Sequence, residues 1–257
     1  MLKKRIIPKL LVKNLSIGRR SKEVLVITRN FKEIIPVGDP VSQAKIYESQ
    51  LADELMLINL SKTNQEPFIE TLETMAKNLA TPLAVGGSVG NLEQAEKLFN
   101  SGADKVVINT GAIANPEIID ELASKYGSQS VCLSLDIEEK EDYLYIRGRN
   151  DRIQIGDMID WLEEVQGRGC GEILITDINR DGMNTGLNID LLQKVRDICK
   201  VPLIISGGCG TSQHFVEGFK HGADAVAAGT FFSKRDQNPL QCRSHVVNAK
   251  ISVRHSL

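Results

Sequence analysis

PLAVGGSVGNLEQAEKLFNSGADKVVINT fills residues 82–110, and PLIISGGCGTSQHFVEGFKHGADAVAAGT fills residues 202–230, 120 positions later. The two segments align without a gap. Ten of their 29 positions are identical, among them Gly87/Gly207, Gly90/Gly210, Gly102/Gly222, Asp104/Asp224 and Thr110/Thr230. Each copy reads as an apolar run, a Gly-rich turn, an amphipathic segment, a Gly-Ala-Asp turn and a second apolar run, which is a strand–helix–strand unit. A second pair, ADELMLINL at 52–60 and GEILITDI at 171–178, repeats at an offset of 118. Halves of about 1–120 and 121–240 imply duplication of one large unit rather than a short-period solenoid.

Short apolar runs bounded by turns mark eight strands, at 5–12, 54–60, 82–86, 105–110, 131–137, 172–178, 202–206 and 225–229. Helical patterns fall at 40–51, 66–79, 91–101, 115–126, 156–168, 188–199 and 211–220. Strands that apolar, alternating with helices, belong in a parallel sheet covered on its outer face. Eight such units in about 250 residues predict an α/β fold of the (β/α)8 TIM-barrel type, a single domain over 1–257. A doubly wound open sheet explains the alternation but not the two matching halves. Residues 14–38, with VLVITRNF, and residues 138–153, whose EDYLYIRGR reads as a hairpin, exceed a minimal barrel. Both are βα loops and so fall on the face where barrels do chemistry. The tail from 234 to 257 is expected to pack as a last helix and a terminal strand.

Composition narrows the function classes. Charged residues make up 25% of the chain and net charge is −2, with no basic cluster of the kind a nucleic-acid surface needs. No apolar run approaches the ~20 residues of a membrane span, and MLKKRIIPKLLVKN lacks the long apolar region and cleavage site of a signal peptide. The five cysteines form no CxxC pair and the four histidines no ligand spacing. No metal and no cofactor is therefore expected, and a reducing cytoplasm is the expected compartment. Cys209 in SGGCGT does not have nucleophile-elbow spacing and is not read as a catalytic thiol. Trp161 fits helix packing better than ligand stacking.

VGGSVGN (85–91) and SGGCGT (206–211) each follow a strand and lead into a helix. Glycines there let backbone N–H groups approach an anion closely. The strand-seven and strand-eight ends supply Gly207, Gly208, Gly229 and Thr230, the recurrent barrel phosphate site. The twin pocket is Gly87, Ser88, Asn109 and Thr110. Two pockets across one barrel mouth call for a small substrate with two phosphates or comparable anionic ends. The competing reading, glycines serving only tight turns, is weakened by the repetition and by the Thr paired with each loop.

KRIIP, GDP at 38–40, ADEL, GADKVVINT, GSQSV, GEILIT, NRDGMNTG and SGGCG together resemble the HisF family, the cyclase subunit of imidazole glycerol phosphate synthase, from residue 1 to about 233. The resemblance implies a (β/α)8 barrel that takes ammonia from a separate glutaminase subunit docked at the N-terminal barrel face. With that ammonia the family cleaves and cyclises a bis-phosphorylated ribulosyl intermediate of histidine synthesis, giving imidazole glycerol phosphate and an aminoimidazole carboxamide ribotide. It implies two aspartates, at the ends of strands one and five, as general acid and base. The second is Asp136. At the first position stands Leu11, which cannot transfer a proton. A further family carboxylate is replaced by Asn59, while Asp181 of NRDG is kept; Ser88 stands where the family commonly has a third glycine.

The resemblance also implies an ammonia gate of alternating charges, Arg5, Glu54, Lys105 and Glu172, against the plainer reading of a stabilising salt-bridge cluster. Asp104 matches a glutaminase docking position, although its twin Asp224 points to a structural role for the turn. Arg19, beside Arg20, falls where the family has a mobile phosphate-contacting lysine. Three functions remain open. One is ammonia delivery, beside a glutaminase and a sugar-amidating enzyme, for surface-glycan (lipopolysaccharide) synthesis, as in HisF-like paralogues lacking the strand-one aspartate. Another is the histidine-pathway cyclase, and the third a phosphosugar isomerase. Leu11 and Asn59 favour the first.

Overall fold

In the computed structural model, which describes residues 3–17, 20–62, 65–140, 143–147, 152–154, 156–234 and 236–254, eight parallel strands close into a barrel. They are β1 (Arg5–Ile17), β4 (Leu55–Asn59), β5 (Leu83–Gly86), β6 (Lys105–Ile108), β7 (Val131–Lys140), β10 (Glu172–Asp177), β11 (Leu203–Ser206) and β12 (Ala225–Ala228). Each pairs with its neighbour in chain order. β12 returns to β1 with Ile7 opposite Ala227, and β7 pairs with β10 with Leu135 opposite Ile175. The architecture is the expected (β/α)8 barrel.

Strand alternation builds two apolar layers. Ile7, Met56, Val107, Cys132, Leu174 and Ile204 point inward and fill the barrel. Ile6, Leu10, Leu57, Val85, Ile173 and Ile205 point outward under the helices. This two-sided burial is why the strands read as continuous apolar runs. The covering helices include α1 (Pro40–Ser49), α2 (Glu66–Asn78), α3 (Leu92–Asn100), α5 (Glu117–Tyr126), α6 (Gly156–Gly167), α7 (Ile189–Arg196) and α8 (Ser212–Lys220). Each sits within its expected range. Phe68, Leu72 and Met75 of α2 recur at helical spacing and are fully buried. Two one-turn helices, α4 (Thr110–Ala114) and α9 (Thr230–Lys234), follow β6 and β12.

The Gly-Ala-Asp turn of the repeat has a structural function in both halves. The Asp104 carboxylate accepts a hydrogen bond from the Leu83 N–H at 2.8 Å, and Asp224 accepts from the Leu203 N–H at 3.1 Å. Each aspartate thus ties the start of one strand to the start of the next. Asp224 also pairs with Lys4 and Arg196.

The long βα segments extend the sheet. β1 runs past the barrel rim and pairs antiparallel with β2 (Arg20–Arg29), which pairs with β3 (Glu33–Gly38). β7 likewise overshoots and pairs with β8 (Tyr143–Arg147), the expected hairpin, and β8 pairs with the short β9 (Arg152–Gln154). The tail forms α10 (Pro239–Asn248), opened by a capping box between Asn238 and Gln241. Among the described residues the expected terminal strand is reduced to a single bridge, Val253 with Lys4. Buried Arg243 of α10 pairs with Asp53 at 2.8 Å and also donates to the Leu51 and Arg254 carbonyls. Asp53 in turn accepts from the Ile6 N–H. The tail is thereby anchored to the first strand.

Candidate functional site

At the N-terminal barrel end the four predicted gate residues meet. Arg5 donates to Glu54 at 2.7 Å and to Glu172; Lys105 lies 3.2 Å from Glu54 and 2.5 Å from Glu172. Each cation bridges both anions, so the four form a closed neutral ring. The two carboxylates are 5% exposed and the two cations 13% and 16%. Burial works to lower the pKa of Arg5 and of Lys105, but the pull of Glu54 and Glu172 exceeds it, and both cations are held above their ordinary values. Directly above the ring the interior is apolar, beginning with Ile7, Met56, Val107, Cys132 and Leu174.

At the other end, inward alternation along β1 continues from Arg5 and Ile7 to Lys9 and Leu11. Leu11 is 8% exposed and contributes to the wall of a small cavity of about 20 Å³, room for one water. Asp181, Gly207, Gly208, Gly229 and Thr230 line the same cavity, so five of the predicted residues converge there with Leu11. Ile27 and Thr28 of β2 add to the lining. Thr28 Oγ1 donates to Asp181 Oδ2 at 2.5 Å, and the Asn30 N–H donates to the Asp181 carbonyl at 2.9 Å. The hairpin therefore rests on the loop after β10. Burial raises the Asp181 pKa, partly offset by the Lys9 charge and the Thr28 hydrogen bond.

The glycines here are required by geometry. Gly207 and Gly208 sit at φ +94° and +93°, and a Cβ on Gly208 would lie 2.1 Å from the Gly186 carbonyl oxygen. In the other half, a Cβ on Gly87 would lie 2.3 Å from the Asn59 carbonyl oxygen. Ser88, the twin of Gly208, adopts φ +58°, a left-handed conformation that disfavours a side chain. Asn109 and Asp136 come together on this side, with Asn109 Nδ2 donating to Asp136 Oδ2 at 2.6 Å. Thr110 opens α4 beside them. Arg19 lies outside the described residues.

Asn59 is turned to local structure: Oδ1 accepts from the Ser61 N–H and Nδ2 donates to Gln65 Oε1. Its repeat twin, Asp177, accepts from the N–H groups of Asn179 and Arg180 and from Asn188 Nδ2, and so shapes the loop that carries Asp181. Cys209 is buried, and burial pushes its thiol well above the ordinary range, against any role as a nucleophile. Trp161 packs partly buried on the outer core. Among the described residues no cluster of His, Cys, Asp and Glu could hold a metal, and no helix is long and apolar enough to cross a membrane.

Lys9 and Thr28 are among the residues of the mouth that were missed in the sequence. Among the described residues Lys9 is the one cation lining the cavity. Its signal was parity: in the inward series Arg5, Ile7, Lys9, Leu11 it is the second cation, at the mouth end. Thr28 had no such signal, because its place depends on how the hairpin folds back.

Residues 5–237 match the family model described as "Histidine biosynthesis protein". A protein of Prochlorococcus marinus (strain MIT 9313) named "Putative imidazole glycerol phosphate synthase subunit hisF2" is 51% identical, covering 99% of each chain. Imidazole glycerol phosphate synthase subunit HisF of Pyrobaculum aerophilum is 37% identical over 90% of this chain and 92% of its own. The HisF subunit of Staphylococcus epidermidis is 38% identical over 86% of each chain.

Proposed function

The chain belongs to the histidine biosynthesis protein family, and on that premise we propose that it is a HisF-type synthase subunit in which ammonia handling has outlived ring closure. The single observation carrying this reading is Leu11. It stands in the wall of the mouth cavity, at the position where the resemblance calls for the strand-one aspartate, while the ring of Arg5, Glu54, Lys105 and Glu172 at the opposite end is complete.

The division of labour follows from the chemistry. A glutaminase subunit at the N-terminal face would release ammonia beside the ring. Parting of one ion pair would admit it to the apolar interior, where neutral ammonia is far less costly to desolvate than ammonium. The glycine loops after β5 and β11 would hold the two anionic ends of a phosphorylated ligand through backbone N–H groups. Ring closure needs a proton donor and an acceptor on opposite sides of the substrate. Asp136 can serve on one side; Leu11 cannot serve on the other. Delivery of ammonia to a second enzyme that amidates a surface-glycan sugar fits this pattern. Catalysis of the histidine-pathway reaction is the alternative, favoured by the retained Asp136 and Asp181.

The test mixes the purified barrel with a glutaminase subunit and ¹⁵N-amide glutamine. Saturable acceleration of glutamine hydrolysis by the barrel supports the assembly; an unchanged hydrolysis rate at every barrel concentration rejects it.

A further inference from the structure

Among the described residues Lys9 is a buried ammonium without an ion-pair partner within 4 Å. Its residue is 8% exposed. An ammonium carries three N–H donors, and Lys9 makes one hydrogen bond among the described residues, to Ser206 Oγ at 3.1 Å. No carboxylate among the described residues lies within 4 Å of its Nζ; Asp181 is near enough only to feel its charge. Burying a charge without a matching one is costly, and proteins tolerate it where a ligand supplies the match. The side chain faces the cavity formed with Gly207, Gly208, Gly229 and Thr230. Those residues offer neutral donors, which can orient a phosphate but cannot neutralise its charge. Arg180 also approaches this loop, but its guanidinium is held by the Gly186 and Leu187 carbonyls and Asp177.

We propose that Lys9 is the counter-charge of the β11–β12 pocket, contacting one phosphate monoester group of the substrate through its two unused N–H donors. This rests on the reading of the glycine loops as phosphate sites. The cavity as it stands has room for one water, so the phosphate enters by displacing Ile27 and Thr28, the part of the lining contributed by β2 rather than by the barrel. Asp181, the one carboxylate among the described residues lining the cavity, would repel the incoming charge. Lys9 offsets that repulsion, and so belongs to recognition rather than to packing. Lys9 is one inward step below Leu11 on β1, and from there its ammonium reaches Ser206 at the end of β11.

The test is a titration of the ¹⁵N-labelled full chain with inorganic phosphate, following the amide resonances of Gly207 and Gly208 against those of Gly87 and Gly90. In the wild type both groups shift and saturate. Lys9→Met should weaken binding at Gly207 and Gly208 by at least tenfold and leave Gly87 and Gly90 unchanged. Lys9→Gln, which keeps a donor to Ser206 without the charge, should show the same loss, and Lys9→Arg should recover most of the affinity. Equal affinity in Lys9→Gln and wild type overturns the role of Lys9 while leaving the pocket standing. No shift at Gly207 and Gly208 in the wild type overturns the pocket and Lys9 with it.

Discussion

Replacing Arg5 with Met removes one member of the charged ring and leaves its surroundings in place. Arg5 makes two charge-assisted hydrogen bonds, to Glu54 and Glu172, and both acceptors are 5% exposed. Removing one partner of a buried ion pair costs about 3–5 kcal/mol, because the remaining charge stays desolvated. Lys105 still reaches both carboxylates, which places the loss near the lower end, about 3 kcal/mol. For a chain of this size that corresponds to a fall in Tm of about 6–12 °C. The variant should also carry a pH signature. With one excess negative charge in the ring, a carboxyl there acquires a folded-state pKa above its unfolded value. The native state then binds the proton more tightly, so stability lost at pH 8 returns as pH is lowered toward 5. Equilibrium denaturation of wild type and Arg5→Met at the two pH values measures both effects. Adding Glu172→Gln restores neutrality and should recover part of the loss. A destabilisation under about 1 kcal/mol that is identical at pH 8 and pH 5 would refute the buried ring.

Arg243→Met should destabilise by about 3–5 kcal/mol in the same assay, since it strands Asp53 inside the protein. Gly208→Ala should lose about 1–3 kcal/mol from its backbone conformation alone, with additional loss from contact with the Gly186 carbonyl, and should bind phosphate more weakly at that pocket. Asp181→Asn should raise stability at pH 7: burial holds the folded-state pKa above the unfolded one, so the charged wild type is penalised above that range. The gain should shrink as pH falls and the wild-type carboxyl becomes protonated. Leu11→Asp should raise any ring-closing rate at least tenfold, by restoring a second proton-transfer group across from Asp136.

Much of the barrel was legible because each strand is buried on both faces and each helix on one. All eight expected strands appear with ends shifted by a few residues, the largest differences being the overshoots of β1 to Ile17 and β7 to Lys140. Those overshoots were not legible, because Lys13, Asn14, Glu138 and Glu139 are polar on the part of the strand that leaves the barrel. The ring was legible through the family resemblance, which singled out four charged residues at strand starts, and the glycine loops from their repetition. What the mouth looks like was not. Thr28 reaches Asp181 from 153 positions away, and no local pattern encodes that approach. Nor does composition reveal that Asn59 had been turned to hold its own loop.

The proposed function has the phosphate pockets and the charged ring persisting without the acid/base pair. It is tested most directly by giving the purified barrel the bis-phosphorylated ribulosyl substrate with excess ammonium at mildly alkaline pH, and following substrate loss, product chromatography and calorimetric binding together. Measurable binding is expected, with turnover below about 1% of an ordinary ~1–10 s⁻¹ enzyme. Turnover at the ordinary rate, with both expected products, would contradict it and make the protein a working cyclase with leucine at position 11.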